Sequence, residues 1–537
     1  MLNYARLYTT GCRGGNCYTG TMKKRDVLEA AAPHYHENEV LELDHAIDVA
    51  TIAHKGQKRK SGEPYISHPL AVAKLLIDWE MDIDSVIAGI LHDTVEDTSL
   101  ELPEIESLFG ADVAFLVDGV TKVGQARSGM QDLKNYLPQT TDNLSKLLIA
   151  IGKDVRVIII KIADRLHNLQ TLEHMPRDKQ KKIARESLEV FAPMADRLAM
   201  GGPRMQIEEL AFRYLDPKEF TRVQNLLKKR LGRSTRKLGK VRQEVEVELK
   251  KQGVEFEING RVKSIYSLHR KLKKVDGNID DIYDLMALRI IVKNKAECYR
   301  TLGILHSMYQ PMIARIKDYI AVPKTNGYQS LHTTVLTPSE QIVEFQVRSR
   351  AMHEYAESGL AASFHYHEQK DSKDYAKRKD TKASKLPSQL QWITQLQEIA
   401  GRIREGEEVP RDQLNVDLFG SRMFVYSPKG DIFNLPEGAL PLDFAYSVHT
   451  DIAKHAAGFR VNGNIHPFDK PLHNGDIVEV LTKKLPQAKR TWLDLVMTSH
   501  AKTKLRSQLK QLGLLETMSQ AAAIIREKAT RRKSKNK

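Results

Sequence analysis

The chain has 537 residues, of which 41% are hydrophobic and 28% charged. This length exceeds what one hydrophobic core supports, so we expect three or four domains. The composition is ordinary for a globular protein, and no stretch approaches the roughly 20 apolar residues that a membrane span requires. The formal net charge of +15 favours a polyanionic partner such as a nucleotide or RNA, although part of it lies in a basic tail that we interpret as a solvated end.

The N-terminus and the cysteines give no sign of secretion. The first residues contain no apolar segment typical of a signal peptide, and Met22 offers an alternative start. Three cysteines, Cys12, Cys17 and Cys298, are too few for a disulfide framework, which fits a reducing compartment. We therefore expect a cytoplasmic protein without a membrane segment.

Hydrophobic periodicity divides the first 370 residues into regions of different secondary structure. After an N-terminal extension at 1–39, residues 40–200 carry amphipathic helical patterns throughout and predict an all-α domain. A helical connector is expected at 201–250. Short strand-like runs, such as Ile342–Val347, then alternate with helices and predict an α/β domain at 251–370.

The remaining chain changes character twice. Residues 371–418 are polar and charged, which predicts a linker with a helix. Residues 419–485 contain a hairpin pattern around the turn Pro428-Lys-Gly-Asp and further Asn-Gly dipeptides, which predict a small β-rich module. Residues 486–537 return to a helical segment that ends in the basic tail.

The helical region supplies four residues suited to a divalent cation: His68, His92, Asp93 and Asp164. The run GILHDTVEDT is predicted to be helical, so that Glu96 and Asp97 fall one turn beyond the His-Asp pair on the same face. Imidazole and carboxylate ligands favour Mn²⁺ over a thiolate-bound zinc. Such an ion acidifies bound water, and the two spare carboxylates could orient that water or act as base. A single His-Asp pair is more often a solvated helix face, so the hypothesis depends on the whole set.

Four segments of this region, at 53–69, 91–98, 116–123 and 161–172, resemble the hydrolase domain of the long RelA/SpoT homologues. These are the bifunctional enzymes of the guanosine tetra- and pentaphosphate alarmones, (p)ppGpp. The resemblance implies an HD-type domain in which the four residues above hold Mn²⁺. Glu96 and Asp97 would activate the water that removes the 3′-pyrophosphate, and the intact HDxxED run predicts an active hydrolase. The implied nucleotide contacts come from Arg59, against the guanine, and from Lys60, Ser61, Asn168 and Thr171.

The α/β region carries residues typical of phosphate binding. Four residues are spaced so that a helix start could turn them toward one anion: Arg261, Lys263, Ser267 and Lys271. Basic helices also commonly face only solvent, so the pattern alone leaves both readings open. Two carboxylates, Asp284 and Glu344, could hold Mg²⁺ with the phosphates of ATP. The run 315–334 combines an aromatic residue, an amide and several cations, which suits either a nucleotide pocket or an exposed loop.

The runs 315–334 and 343–362 resemble the alarmone synthetase motifs of the same family. The likeness implies a nucleotidyltransferase-like domain with a mixed sheet. Arg261 and Arg289 would sandwich the adenine of ATP, and Asp284 would hold Mg²⁺. The ATP phosphates would be held by Lys263, Ser267 and Lys271. One departure from the family pattern is His269, which stands where a tyrosine is usual.

The same likeness implies an acceptor site for GDP or GTP. Tyr328 would stack on the guanine, and Glu344, with Gln346 beside it, would take the proton from the ribose 3′-hydroxyl. That hydroxyl would attack the β-phosphorus of ATP, so that pyrophosphate is transferred and AMP leaves. The acceptor site would be lined by Lys324, Asn326 and His332. The basic sequence with Arg315 and Lys317 is the form that bifunctional members carry.

Residues 421–484 resemble a TGS domain, a small β-grasp-like module. In the long family this module senses the 3′ end of deacylated tRNA on the ribosome, which implies such a contact for His449. A histidine in a β-rich core is more often simply hydrogen-bonded in place. The resemblance covers roughly residues 40–515, and the C-terminal zinc-finger-like and ACT domains of full-length relatives are expected to be missing.

These observations together predict a bifunctional (p)ppGpp synthetase and 3′-pyrophosphohydrolase of the stringent response, with Mn²⁺ and Mg²⁺ as cofactors. Its expected partners are ATP, GDP or GTP, (p)ppGpp and, through the TGS domain, the ribosome and deacylated tRNA. One alternative is a hydrolase-dominant enzyme with a weak or decayed synthetase. Another is a tRNA- or ribosome-binding regulator without catalysis. The oligomeric state is left open by the sequence.

Overall fold

A computed structural model describes residues 22–121, 143–279, 282, 285–324, 326–338, 341–359, 401 and 422–511. The chain divides into two compact units, Met1–Glu407 and Glu408–Lys537. Most of the predicted linker, the basic tail, and Asp284 among the predicted site residues lie outside the described residues. None of the helices in the described ranges has the length and apolar content that a membrane span requires.

The first part of the first unit is helical, as the sequence predicts. Two helices lie at its centre, because nearly all of Ile83–Leu91 is buried and Val157 to Ile160 are buried on every side of their helix. The helices in this part are α1 (Lys24–Ala31), α2 (Glu37–Ala53), α3 (Ser67–Asp78), α4 (Ile83–Leu91), α5 (Thr94–Asp97), α6 (Leu102–Val120), α7 (Asn143–Lys153), α8 (Arg156–Gln170), α9 (Arg177–Glu186), α10 (Ala192–Arg197) and α11 (Gly201–Leu215).

The run GILHDTVEDT is not one continuous helix, so that expectation is wrong in detail. Helix α4 ends at Leu91 and α5 begins at Thr94. The ring nitrogen Nδ1 of His92 lies 2.9 Å from the carbonyl oxygen of Gly89, and the Thr94 hydroxyl donates to the carbonyl of Leu91 at 2.7 Å. These side chains satisfy carbonyls of the last helical turn in place of backbone N–H groups. His92 and Asp93 therefore lie in a tight turn between two helices.

Helix α12 (Pro217–Lys251) connects the helical part to the mixed sheet. Its first turn is capped by the carboxylate of Asp216, which accepts from the N–H of Glu219 at 3.0 Å, and Pro217 occupies the first helical position. An apolar stripe of this helix packs into the core of the following domain and is formed by Leu231, Leu238, Val241, Val245 and Leu249. The helix is therefore amphipathic.

The second part of the first unit is built on a mixed sheet. The strands are β1 (Phe256–Val262), β2 (Met286–Val292), β3 (Gln310–Pro311), β4 (Lys317–Asp318), β5 (Leu331–Leu336) and β6 (Ile342–Ser349). Their order is β1-β2-β6-β5-β3, with β4 paired to β5; β2 and β6 are parallel and the other pairs antiparallel. The helices are α13 (Ile265–Leu272), α14 (Lys295–Met308) and α15 (Arg350–Ser358). The predicted fold class is therefore confirmed.

Alternation along β6 separates the core from the polar face of this sheet. Val343, Phe345 and Val347 are buried in the hydrophobic core. Because successive side chains of a strand point to opposite faces, Glu344 and Gln346 project from the other face. The apolar residues thus fix the direction of the polar residues between them.

The second unit is a β-rich module followed by helix. A hairpin of β7 (Arg422–Tyr426) and β8 (Ile432–Pro436) turns at Gly430, whose φ is +89°, a conformation that glycine adopts without strain. Two helices, α16 (Pro441–Val448) and α17 (Thr450–Lys454), precede a sheet of order β10-β9-β11. Its strands are β9 (Ala456–Val461), β10 (Asn464–His466) and β11 (Val478–Thr482). Residues 499–511 are helical.

Asp443 joins this module to the helix that follows it. Its buried carboxylate accepts from the N–H groups of Leu440, Met497 and Thr498 and from the Thr498 hydroxyl, at 2.8 to 3.2 Å. Buried N–H groups that lose an acceptor carry the full cost of their desolvation. This one side chain therefore fixes the start of the C-terminal helix on the module.

Replacing this carboxylate should loosen the second unit. We expect Asp443→Ala to lower the free energy of opening of residues 422–511 by at least about 2 kcal/mol, because several donors lose their acceptor at once. Hydrogen exchange of peptides from this range measures the change. The exposed Asp469 provides the control Asp469→Ala, which should have no measurable effect. Equal exchange in the two variants would contradict the anchoring role.

Candidate functional site

Three elements of the helical part bring potential metal ligands together. His68 comes from the first turn of α3, His92 from the turn after α4 and Asp164 from the buried side of α8, and their ligand atoms lie within 4.8 Å of one another. The carboxylate of Asp93 completes the group, with Oδ1 3.2 Å from Nε2 of His92 and Oδ2 3.6 Å from Nε2 of His68. The structure thus gathers all four predicted ligands. We refer to them as the His-Asp cluster.

The protonation pattern of His92 fits a metal ligand. Its Nδ1 lies against the carbonyl of Gly89, so that this nitrogen carries the proton and donates. Its Nε2 is buried without a hydrogen-bond donor or acceptor among the described residues, and it faces the Asp93 carboxylate. Burial opposes protonation of His92, but the Asp93 carboxylate outweighs it and raises the pKa to about 9. Two histidines and two carboxylates around one point suit a divalent cation, which would replace the proton on Nε2 of His92.

His167 orients the second histidine of the cluster. Its Nδ1 lies 2.7 Å from Nδ1 of His68 and 3.1 Å from Nη1 of Arg59. Burial, the nearby His68 ring and the Arg59 guanidinium lower the pKa of His167 to about 2, so this ring is neutral and its Nδ1 accepts. His68 then donates through Nδ1 and turns Nε2 toward the carboxylates. A partner of this kind fixes both the tautomer and the ring orientation of a metal ligand.

Tyr65 connects the cluster to the predicted water-activating residues. Its hydroxyl lies 2.8 Å from Oδ2 of Asp93 and 2.7 Å from Oδ2 of Asp97, and its ring stacks on His54 at a centroid distance of 4.6 Å. Burial and the two carboxylates raise the pKa of Tyr65 far above its ordinary value, so the phenol remains a donor. Glu96 lies beside Asp97 in α5, half-buried.

Most predicted nucleotide contacts of this site lie around the cluster. Nη2 of Arg59 donates to Oδ1 of Asn168 at 3.1 Å, and Nδ2 of Asn168 donates to Asp164 at 2.5 Å. Thr171 follows at the end of α8, where its hydroxyl donates to the carbonyl of His167 at 3.1 Å. The other two predicted contacts lie in the turn after Arg59 and are Lys60 and Ser61.

A second constellation lies on the polar face of the mixed sheet. Nε2 of Gln346 donates to Oε1 of Glu344 at 3.0 Å, and Nη1 of Arg261 donates to Oε1 of Gln346 at 2.9 Å. On the neighbouring strand, Nδ1 of His332 lies 3.2 Å from Oε1 of Glu344. Residues from β1, β5 and β6 thus form one continuous polar network.

The predicted acceptor loop joins this network. The Tyr328 hydroxyl lies 3.0 Å from Nε2 of His332, and the Lys324 ammonium lies 5.1 Å from the centroid of the Tyr328 ring. Burial lowers the pKa of His332, against the opposing effect of Glu344. The neutral ring therefore donates to Glu344 and accepts from Tyr328. Asn326 turns away from this network, since its Nδ2 donates to the carbonyl of Asp196 in α10 at 2.8 Å.

The structure describes most residues predicted for the ATP side of this site, but not Asp284. Arg289 donates from Nη1 to Glu357 at 3.1 Å, and the buried Arg348 binds the same carboxylate at 2.9 Å. Burial and the neighbouring guanidinium of Arg348 lower the pKa of Arg289 to about 10. The predicted phosphate-binding residues lie just before and along α13 and are Lys263, Ser267 and Lys271. The sequence departure His269 lies against Glu219 of α12, with Nδ1 3.1 Å from Oε1.

The basic residues of the bifunctional pattern flank β4. Lys317 is paired with His332 across β4 and β5, and Arg315 precedes that strand. In the second unit, His449 is exposed at the start of α17, where its Nδ1 accepts from the N–H of Asp451 at 3.2 Å. It is a helix cap and does not belong to the β-rich core.

Family models match three parts of the chain: "HD domain" at 46–201, "Region found in RelA / SpoT proteins" at 260–371 and "TGS domain" at 423–482. The chain is 39% identical to the guanosine-3′,5′-bis(diphosphate) 3′-pyrophosphohydrolase of Aquifex aeolicus, over 95% of this chain and 70% of that protein. It is 38% identical to the bifunctional (p)ppGpp synthase/hydrolase SpoT of Escherichia coli K12, over 90% of this chain and 67% of that protein. The chain belongs to the RelA/SpoT family.

A further relative of this RelA/SpoT chain shows that the match is partial in length. The GTP pyrophosphokinase of Myxococcus xanthus is 41% identical over 458 residues, which is 85% of this chain but 59% of that protein. The matched models agree with the predicted kinds of domain, whereas the boundaries between them stay a prediction. The HD-domain match also fits use of a divalent metal.

Two residues that build the first site of this RelA/SpoT chain were not predicted from the sequence. His167 and Tyr65 each lie three positions from a predicted ligand, His167 after Asp164 and Tyr65 before His68. Spacing of three residues places side chains on one helical face, and this signal could have found His167. Tyr65 precedes α3, so its direction toward Asp97 depends on the fold.

Removing the residue behind His68 should weaken metal binding. We expect His167→Ala to lower the affinity for a divalent cation about 10- to 100-fold, because His68 loses the acceptor that fixes its tautomer. Isothermal titration calorimetry with the cation measures the effect. The exposed His45 in α2 supplies the control His45→Ala, which should bind normally. Unchanged affinity in His167→Ala would mean that His68 is oriented without this partner.

Proposed function

We propose that this chain both makes and degrades (p)ppGpp. In synthesis, pyrophosphate passes from ATP to the 3′-hydroxyl of GDP or GTP and AMP leaves; in degradation, water removes that 3′-pyrophosphate again. The observation that carries the proposal is the presence of two separate polar constellations in one unit. One is the His-Asp cluster, and the other is the network of Arg261, Gln346, Glu344, His332 and Tyr328.

In the hydrolase site, Mn²⁺ would be held by the four residues of the His-Asp cluster. Bound there, the cation would lower the pKa of a bound water and stabilise negative charge on the phosphoryl group. Asp97, held by the Tyr65 hydroxyl, and Glu96 would orient the water and accept its proton. Arg59 is restrained by Asn168 and His167 through one edge of its guanidinium, and its flat face would pack against the guanine.

In the synthetase site, Glu344 would accept the proton of the ribose 3′-hydroxyl. Gln346 and His332 donate to this carboxylate and thereby fix its orientation. Tyr328 would stack on the guanine, with the Lys324 ammonium close to its ring. In-line phosphoryl transfer depends mainly on such positioning and on charge neutralisation.

The ATP side of the same site would use cations and one metal. Arg261 and Arg289 would enclose the adenine, and the ion pair of Arg289 with Glu357 would hold its guanidinium in place. Lys263, Ser267 and Lys271 would hold the phosphates. We assign Mg²⁺ to Asp284, which lies outside the described residues. The alternative of a decayed synthetase is disfavoured by the unbroken network between Arg261 and Tyr328.

We extend the proposal to RNA for the second unit. The TGS-domain match and the exposed position of His449 support a contact with the single-stranded 3′ end of deacylated tRNA on the ribosome. A regulator without catalysis would need only this surface. It would leave the two polar constellations of the first unit without a role.

A paired assay on the purified chain tests the proposed function. Incubation with ATP, GDP or GTP and Mg²⁺ should yield (p)ppGpp and AMP, and incubation of (p)ppGpp with Mn²⁺ should release pyrophosphate. Absence of synthesis with active hydrolysis would support the hydrolase-dominant alternative. Absence of both would overturn the proposal.

Loss of one cluster ligand should separate the two activities. We expect Asp93→Ala to reduce Mn²⁺-dependent degradation at least about 100-fold, since loss of an outer partner alone costs up to that much. Synthesis, measured as AMP and alarmone formation, should stay within about twofold of the original chain. The exposed Asp178 gives the control Asp178→Ala, which should keep both activities. Persistent degradation in Asp93→Ala would refute the metal assignment.

Neutralising the proposed base should have the reverse effect. We expect Glu344→Gln to reduce synthesis about 10²- to 10⁴-fold, because a general base contributes that much to proton transfer. Degradation of (p)ppGpp should be unchanged. Glu255→Gln, at an exposed position before β1, is the matched control. If synthesis survives in Glu344→Gln, another group takes the proton.

A further inference from the structure

Glu209 connects the helical part to the first turn of α13. It lies in α11, outside the residues 260–371 that the synthetase family model matches. Its Oε2 accepts from the N–H of Ile265 at 2.9 Å, and the same carboxylate accepts from the N–H of Tyr266. These are the first two residues of α13. A side chain more than fifty positions upstream thus caps the helix that carries the proposed phosphate-binding residues.

Each N–H group in the first turn of α13 has an acceptor within the protein. Besides the two N–H groups bound by Glu209, the N–H of Ser267 donates to the Ser264 hydroxyl at 3.2 Å. The next N–H, that of Leu268, donates to the carbonyl of Ser264 at 2.9 Å. The initial N–H groups of a helix are the ones that usually bind an anion. Here they are occupied, so phosphates would be met by side chains.

Hydrophobic packing holds Glu209 in this position. Phe212, one turn further along α11, is buried in a cluster with Ile265, Leu268 and Leu272 of α13. Its ring also meets that of Tyr266 edge to face, at a centroid distance of 5.5 Å. Helices α11 and α13 are therefore fixed against each other. This packing keeps the Glu209 carboxylate within reach of the N–H groups of Ile265 and Tyr266.

We propose that Glu209 is a positioning residue of the ATP site: by capping α13, it sets where Lys263 and Ser267 meet the ATP phosphates. The inference rests on the proposed synthetase function. Lys263 directly precedes the capped turn and Ser267 lies within it, so a shift of this turn displaces both. Acceptor residues such as Tyr328 lie on a different loop and do not depend on it.

The charge of Glu209 is compatible with this role. A full negative charge close to ATP phosphates would repel them. Burial raises the pKa of Glu209 to about 7, against the opposing effect of the two N–H groups it binds. At neutral pH a large share of this residue is therefore uncharged, while its carbonyl oxygen still accepts.

Steady-state synthesis by the full chain tests the role. Glu209→Ala should raise KM for ATP about tenfold, because two N–H groups lose their acceptor and the turn shifts. KM for GDP, kcat and Mn²⁺-dependent (p)ppGpp hydrolysis should stay within about twofold. Glu209→Gln keeps an acceptor oxygen at the same reach and should restore KM for ATP to within about threefold. Glu209→Asp keeps a carboxyl group but is too short to reach the two N–H groups, so its KM for ATP should rise as in Glu209→Ala.

Glu219 supplies the matched control, since it also contacts α13 but at His269, one turn beyond the cap. Glu219→Ala removes a contact to the same helix and should leave KM for ATP within about twofold.

The inference is overturned if Glu209→Ala leaves KM for ATP unchanged, if KM for both substrates rises together, or if Glu219→Ala has the same effect. Should Glu209→Ala fail to fold, the contrast between Glu209→Gln and Glu209→Asp decides the question. Absence of synthesis in the unmodified chain would refute the proposed function instead, and ATP binding by calorimetry would then test Glu209 alone.

Discussion

The first site is governed by the burial of two carboxylates beside two histidines. Asp93 and Asp164 are largely removed from water, and burial alone would raise the pKa of each. Neighbouring groups outweigh that effect and lower both pKa values: His92 and then His68 beside Asp93, and Lys161, at 3.1 Å, beside Asp164. Buried charges are tolerated only when they are paired or bind a metal. His92 and Tyr65 beside Asp93, and Lys161 beside Asp164, meet this requirement.

The second site depends on a simpler constraint, the alternation of side chains along β6. Val343, Phe345 and Val347 must enter the core, and Glu344 and Gln346 are thereby presented on the opposite face. The pairing of β6 with β5 then places His332 beside Glu344, and the pairing of β1 with β2 brings Arg261 within reach of Gln346. The polar network is a consequence of sheet register, and no residue in it needs an unusual backbone conformation.

Contacts between the helical part and the sheet give the two sites a shared framework. Asp196 in α10 holds Asn326 of the acceptor loop, and Glu209 in α11 caps the helix of the proposed phosphate-binding residues. Close packing supports these contacts, since a side chain at Gly201 would lie 2.6 Å from the carbonyl oxygen of Ala356 in α15. The substrate sites of the sheet are therefore shaped partly by helices that precede it in the chain.

The sequence by itself determined the kinds of domain and most candidate site residues. The change from helical to strand periodicity predicted the all-α part, the mixed α/β part and the hairpin around Gly430, because these patterns follow from local side-chain spacing. The residues His68, His92, Asp93 and Asp164 were identified from the whole set of motifs in which they occur, since a single His-Asp pair is not specific. Their joint position within one cluster agrees with that prediction, while their roles remain proposals.

Only the tertiary structure decided how these residues are supported. The turn at His92 arises from side-chain bonds to Gly89 and Leu91 that helical periodicity cannot register. The pairs of His167 with His68 and of Glu209 with Ile265 join residues 99 and 56 positions apart. Contacts over such separations are set by how helices pack, and a local pattern contains no information about them. The sequence therefore revealed the reactive groups, and the packing determined their protonation, direction and partners.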